Sequence, residues 1–100
     1  MPHLICYDIT GDTLRTQLSK KIIASGLDRI NKSVYLGTVG ESSLTSLVTA
    51  LQQLMQSKSD PQDSVIILTV SVQQVQSMQI LGLNELDRDD LSGEKTTLIV

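Results

Sequence analysis

The stretch Leu4-Ile5-Cys6-Tyr7-Asp8-Ile9-Thr10-Gly11-Asp12 decides how this chain folds. Its apolar run reads as a strand buried on both faces. It delivers one carboxylate, Asp8, close to its end, and a helical pattern begins just beyond Gly11 and Asp12. A carboxylate near the end of a buried strand is costly unless solvent, a cation or hydrogen-bond donors wait there. Asp8 is therefore the first candidate for chemistry. The alternative is that Asp8 only accepts backbone N–H bonds from the turn at Thr10 to Asp12, the commoner role of an Asp in this position.

Downstream, Asp12 or Thr10 is placed to cap a helix whose apolar positions Leu14, Leu18 and Ile22 recur every four residues. Ser25-Gly26 ends it, with Gly26 suited to the left-handed position past a helix C-terminus. Lys20 and Lys21 in its last turns complement the helix dipole. Residues 27–39 alternate: Ile30, Val34 and Leu36 share one parity, and Arg29, Asn31, Ser33 and Tyr35 the other. They form either one long strand or two short ones broken around Asn31-Lys32. Ser42 or Ser43 then caps a second helix, in which Leu44, Leu47, Val48, Leu51, Leu54 and Met55 keep the 3-4 spacing.

The cluster 58–63 is a loop, and residues 64–72 read as a β-branched, largely buried strand. Residues 73–79 are polar with little period, an extended segment continuing through Ile80-Leu81 to Gly82. Residues 84–95 are acidic and loop-like, and 95–100 read as a last short strand that must pair with something. There is no internal repeat and no interdomain linker.

A chain of 100 residues with 40% hydrophobic and 19% charged residues has the composition of one ordinary globular domain. It is near the size at which dimerisation helps. No apolar run is long enough for a membrane span and no signal peptide precedes the first strand, so the cytoplasm is expected. The lone Cys6 excludes a disulfide framework and a cysteine zinc site. The net charge of −3 argues weakly against nucleic-acid binding, but its distribution matters more. Residues 1–36 carry Arg15, Lys20, Lys21, Arg29 and Lys32 against Asp8, Asp12 and Asp28, a net +2; the rest of the chain is acidic. A polyanion can therefore dock on the half that contains Asp8.

The order strand, helix, strands, helix, strand matches an α+β ferredoxin-like βαββαβ domain over residues 1–82, with a loop and extra strand in 83–100. Helices cover one face of such a sheet only. These strands are too apolar to leave the other face open, which favours a homodimer.

The residues Tyr7-Asp8-Ile9-Thr10, Asp12, Arg15, Gly26-Leu27, Arg29-Ile30, Lys32-Ser33-Val34-Tyr35, Gly37 and Asp63-Ser64-Val65 stand in the order and spacing of the CRISPR-associated protein two family. The resemblance spans roughly residues 4–82, and the tail resembles the family's late strand, added across the dimer. It implies a ferredoxin-like homodimer that works in spacer acquisition, bridging copies of the CRISPR integrase and holding duplex DNA. It also implies magnesium-dependent cleavage of RNA or duplex DNA in some members. By position, Asp8 resembles the metal-binding carboxylate, Arg15 and Arg29 the phosphate contacts, and Ser33 and Tyr35 the pair of the family motif. Tyr7 and Lys32 join them as nucleic-acid-binding candidates. Gln17 departs from a frequent basic residue and Leu36 from a frequent Glu, and both thin the polar chemistry.

Two readings follow. As an enzyme, the chain depends on Mg²⁺, which keeps several waters and needs only one or two carboxylates. Asp8 and its symmetry mate supply two, and the cation activates a water. His3, the only imidazole, is expected to be a solvent-exposed spectator, and no Ser-His-Asp set or Gly-rich phosphate loop exists. As a DNA-bridging scaffold, the chain needs only dimerisation, a basic strip of Arg15, Lys20, Lys21, Arg29 and Lys32, and an edge for a partner such as 98–100 or the acidic stretch from Asp87 to Asp90. With two aromatic residues, stacking on single strands is a poor prospect, so duplex binding is favoured. A toxin-like ribonuclease of the same fold and a small-molecule regulator are the other classes.

Overall fold

The strand β1 (Pro2–Asp8) sits in the middle of the sheet, where an aliphatic run finds neighbours on both sides. The computed structural model describes residues 1–82 and 88–93. After β1 come helix α1 (Asp12–Ala24), strands β2 (Asp28–Asn31) and β3 (Val34–Thr38), helix α2 (Glu41–Lys58) and strand β4 (Ser64–Thr69). Two short helices follow, α3 (Val72–Ser77) and α4 (Arg88–Ser92). The sheet order is β2-β3-β1-β4 with every neighbouring pair antiparallel. This is the ferredoxin-like arrangement: β1 and β2 flank the inserted β3 in a split βαβ unit.

Strand alternation divides the side chains of β1 between two cores. Ile5 faces α1 and α2, where Leu14, Leu18, Ile22, Leu27, Tyr35, Leu47 and Leu51 close around it. Leu4 faces the other way and meets a smaller cluster of Leu36, Val75 and Leu91. The Leu14, Leu18 and Ile22 stripe is buried as its spacing requires. Gly26 takes φ +104° past the end of α1. Gly37 lies so close to Leu27 that a Cβ would stand 3.1 Å from its Cδ2 and 3.3 Å from its Cα.

Residues 27–39 resolve as two strands joined by Lys32-Ser33, with a bulge between Arg29 and Asn31. Ser33 makes this turn at φ 61°, and its carbonyl accepts a 3.1 Å bond from the Tyr7 N–H.

The structure corrects several expectations. Neither Thr10 nor Asp12 caps α1; Gly11 stands at the N-cap without a side-chain bond. Thr10 is held instead by Asp63 and Asp60, and Asp12 by Arg15. α2 likewise starts at Glu41 after Gly40, one turn position ahead of Ser42 and Ser43; the Glu41 carboxylate complements the helix N-terminus. The strand over 64–72 ends at Thr69 and is an edge, not a largely buried element: Ile66 is 58% and Leu68 53% exposed. Residues 73–77 are helical, not extended. The Ser71 hydroxyl accepts from the Gln74 N–H at 3.0 Å while the Gln74 side chain accepts from the Ser71 N–H at 2.8 Å, a reciprocal box that starts α3. The acidic region is not all loop, because Arg88–Ser92 is helical and buries Leu91 against β3. The Arg88 guanidinium donates to the Val75 carbonyl at 2.9 Å, and the Thr38 hydroxyl to the Leu91 carbonyl at 3.0 Å. The strand expected over 95–100 and Asp87 lie outside the described residues.

His3 is not exposed. It lies inside β1, opposite Gly37 and Thr69, at 7% exposure with its Nδ1 buried and unpartnered among the described residues. Burial, and then the nearby amino terminus, hold its pKa below the usual 6.5. At about 3.4 Å per residue it stands about 17 Å from Asp8 along the strand, too far to serve chemistry there.

Candidate nucleic-acid interface

α1 turns its Leu14-Leu18-Ile22 stripe to the core, which leaves Arg15, Thr16, Ser19 and Lys20 on a flank of the helix that looks toward the β2–β3 hairpin. Residues four apart on a helix share a face, so Arg15 aligns with Ser19 and Thr16 with Lys20. The hairpin supplies Arg29, Lys32, Ser33 and Tyr35, and β1 supplies Tyr7. Together these residues line one cavity of about 380 Å³. All six nucleic-acid-binding residues expected from sequence line it: Tyr7, Arg15, Arg29, Lys32, Ser33 and Tyr35. Thr16 and Ser19 were not anticipated; Lys20 was assigned only to the helix dipole and a general basic strip. The signal for them was the i, i+4 relation to Arg15 and to each other. Lys21 points elsewhere, into the groove between α1 and α2.

Four of the nine lining residues are cationic and none is acidic. They are not equivalent. The Arg15 guanidinium donates to the Ile9 carbonyl at 3.1 Å and pairs with Asp12, so its charge is partly spent within the protein. Arg29 has only a long 3.4 Å bond from Nε to the Asn31 carbonyl, and Lys20 and Lys32 have no side-chain partner among the described residues. Lys20, Arg29 and Lys32 are thus the available cations.

The floor is a chain of hydroxyls. Tyr35, 1% exposed, donates to Ser19 Oγ at 2.7 Å, and the Tyr7 and Tyr35 hydroxyls lie 3.0 Å apart with their rings stacked at 5.8 Å. Tyr35 has one hydroxyl hydrogen, which it gives to Ser19, so Tyr7 is the donor in the Tyr7–Tyr35 bond. Burial, then the neighbouring Tyr35 hydroxyl, raise the Tyr7 pKa above 10.0, which keeps that donor protonated.

Asp8 is not part of this cavity. It ends β1 opposite Ser64, exposed, and by alternation shares the face of Leu4 and Cys6 rather than that of Tyr7. Its carboxylate takes no hydrogen bond from the Thr10–Asp12 turn. Asp63 fills that role: its Oδ1 accepts from the Thr10 N–H at 2.9 Å and the Thr10 hydroxyl at 2.5 Å, and its Oδ2 from the Asp60 N–H at 2.9 Å. The Thr10 hydroxyl bond, then the backbone donors, hold the Asp63 pKa below the usual 3.8. Among the described residues no group of three His, Cys, Asp or Glu side chains is arranged to hold a metal ion. Asp8 by itself fits Mg²⁺ only if a second copy or a phosphate supplies further oxygens.

The two departures from the family pattern also have places. Gln17 accepts a 2.9 Å bond from Lys58 Nζ, so a cation from α2 stands beside the position that lost one. Leu36 is buried in the smaller core with Val75 and Leu91. Among the described residues no helix is long and apolar enough to cross a membrane.

The sequence model of a family described as CRISPR associated protein Cas2 matches residues 1–78. A protein of Aeropyrum pernix named CRISPR-associated endoribonuclease Cas2 is 32% identical over 79 residues, 79% of this chain and 83% of that one. A similarly named protein of Francisella tularensis subsp. novicida is 34% identical over 70 residues, 70% of this chain and 68% of that one. Among solved structures, Streptococcus pyogenes Cas2 superposes with a TM-score of 0.69 at 21% identity, covering 82% of this chain and 100% of that one. A hypothetical protein of Thermus thermophilus gives 0.68 at 27% identity, with 85% and 94% covered.

Proposed function

The chain belongs to the CRISPR associated protein Cas2 family, and on that premise we propose that it is a homodimeric subunit of the spacer-acquisition machinery that grips the phosphate backbone of duplex DNA. The observation that carries this reading is the cavity between α1 and the β2–β3 hairpin, with Lys20, Arg29 and Lys32 unneutralised and no acidic residue in its lining. Such a site attracts phosphate without reading bases. The part of the opposite sheet face left uncovered by α3 and α4 suits a second copy, since Ile66 and Leu68 are exposed there beside half-buried Cys6 and Val34. A second copy seated on that face removes apolar area from water and doubles the basic sites, one per protomer. The integrase is the protein partner that family membership suggests.

A second reading, metal-dependent phosphodiester hydrolysis at Asp8, is favoured by one observation: that carboxylate is exposed and free of the turn bonds that Asp63 accepts instead. Asp8 from each copy would hold Mg²⁺, which when bound activates a water and offsets charge on the scissile phosphate. The curated relatives are named endoribonucleases, which is consistent with a cleavage activity. Arg29, Lys20 and Lys32 then hold the substrate away from the reacting bond.

The test of the binding reading is the salt dependence of duplex affinity. With three cations neutralising phosphates in each protomer, log K against log[salt] should fall with a slope of about −3 per protomer. Replacing Lys20, Arg29 and Lys32 by Ala should flatten it. A steep slope retained by that variant overturns the assignment.

A further inference from the structure

The hydroxyls at the floor of the cavity spend their hydrogens on one another. Tyr35 donates to Ser19 Oγ at 2.7 Å, and Tyr7 donates to Tyr35 across 3.0 Å. The Ser19 and Ser33 hydroxyls both bond the Tyr7 oxygen, and with the Tyr7 hydrogen already committed they are the donors. Four hydrogens thus make four bonds, and Tyr7, Tyr35 and Ser19 close a ring in which each donates once. No member keeps a hydrogen for a ligand. The network is therefore a tie between elements rather than a recognition surface. It joins β1 through Tyr7, α1 through Ser19, and the β2–β3 hairpin through Ser33 and Tyr35.

Each available cation stands beside one member of this network. Lys20 follows Ser19 on α1, Lys32 precedes Ser33 in the turn, and Arg29 lies opposite Tyr35 in the β2–β3 register. The turn is held twice, since the Ser33 carbonyl also accepts the Tyr7 N–H at 3.1 Å. From this we infer that Tyr35 and Ser19 are positioning residues, whose bond fixes helix against hairpin and so sets the spacing of Lys20 from Arg29 and Lys32. The inference deepens the proposed backbone-binding function and rests on it. Cations carried on two elements bind phosphate more tightly when those elements are already in place, because the ordering cost is met before the ligand arrives. Tyr35 is 1% exposed, so its hydroxyl acts on a ligand only through these neighbours. Sequence alone hid this because Ser19 is an ordinary helix residue until Tyr35 reaches it from a strand 16 positions away.

The experiment measures duplex DNA affinity across a range of salt, by fluorescence anisotropy, for the full native chain, Tyr35→Phe, Ser19→Ala and the double variant. Tyr35→Phe keeps the ring that stacks on Tyr7 and removes only the hydroxyl. It should weaken binding about fivefold, the scale of one hydrogen bond. The salt slope should stay at the native value, because no charge has been removed. Ser19→Ala should do the same, and the double variant should bind no more weakly than either single one, since both cut the same bond. Thermal melts establish that every variant is folded at the temperature of the binding measurement. Native affinity in Tyr35→Phe overturns the inference while leaving backbone binding intact. A flattened slope in either single variant also overturns it, because it marks a lost phosphate contact and not a lost position. Losses that add in the double variant overturn the coupling of helix to hairpin. Failure of the native chain to bind the duplex overturns the proposed function itself.

Discussion

Tyr7 and Asp8 are consecutive in β1, yet strand alternation sends them to surfaces of opposite chemistry. Tyr7 enters the helix-covered side, where α1 and the hairpin gather cations and hydroxyls into one cavity. Asp8 belongs to the opposite face, which α3 and α4 cover around Leu4 and Leu36 while Ile66 and Leu68 of β4 stay exposed. The first surface suits gripping a phosphate, and the second suits meeting another copy of the chain. Grip and cleavage, if both are performed, are thus built from different faces and should separate by mutation.

The sharpest way to break that separation is Asp8→Ala. Metal-dependent cleavage of RNA or duplex DNA should fall by at least about a hundredfold, the upper end of what even outer-shell metal partners cost. Duplex affinity should stay within about threefold, because no cavity contact is lost. Comparable loss of both would mean that the two faces act as one site. Ile66→Lys tests the exposed part of the Asp8 face next: a charge set into an apolar contact should weaken self-association by about tenfold or more, read by sedimentation. An unchanged dimer would move the interface elsewhere.

Ser33→Gly probes the cavity side with a smaller effect. A non-glycine residue at φ 61° costs about 1–2 kcal/mol, of which glycine's extra chain entropy returns about 0.5–1 kcal/mol. Urea denaturation should therefore show a gain of up to about 1 kcal/mol, and duplex affinity should fall as the hydroxyl leaves the cavity. A destabilised variant would mean that the Ser33 side chain contributes more than its backbone strain costs.

The smallest effect lies at the far end of β1, where His3 marks what neither site uses. Its folded pKa is below 6.5, so the unfolded chain takes up the proton first as pH falls through 6.5, and stability drops with it. His3→Gln should flatten the stability profile between about pH 7 and pH 5. Asp63 has the carboxylate form of this behaviour: its contribution is present above 3.8 and is lost as pH falls below that value. A profile unchanged by His3→Gln would point to another group as the acid-sensitive one.

Much of this was legible in the chain. Leu14, Leu18 and Ile22 announce α1, and Gly26 announces its end, because those signals are local. The charge excess of residues 1–36 marked the cations of the cavity, but their grouping with Tyr7, Ser33 and Tyr35 was legible only through the family motif, since nothing local says that Arg15 and Arg29 share a site. What escaped reading was set by tertiary contacts. The apolar run 64–69 reads the same whether a strand is central or an edge, so the exposure of Ile66 and Leu68 depended on sheet order. Thr10 and Asp12 look like helix caps until Asp63 and Arg15 claim them. α3 is a different case: Ser71-Val72-Gln73-Gln74 carries the capping-box spacing in plain sight, and the polar residues after it masked the signal.

The most direct test of the two-face arrangement is one binding measurement on two variants, duplex DNA affinity at fixed moderate salt for Asp8→Ala and for the combined Lys20→Ala, Arg29→Ala and Lys32→Ala variant. The expected result is near-native affinity for the first and a loss of about a hundredfold or more for the second, as three phosphate contacts disappear. Native affinity in the variant lacking the three cations, or a comparable loss in Asp8→Ala, would contradict it.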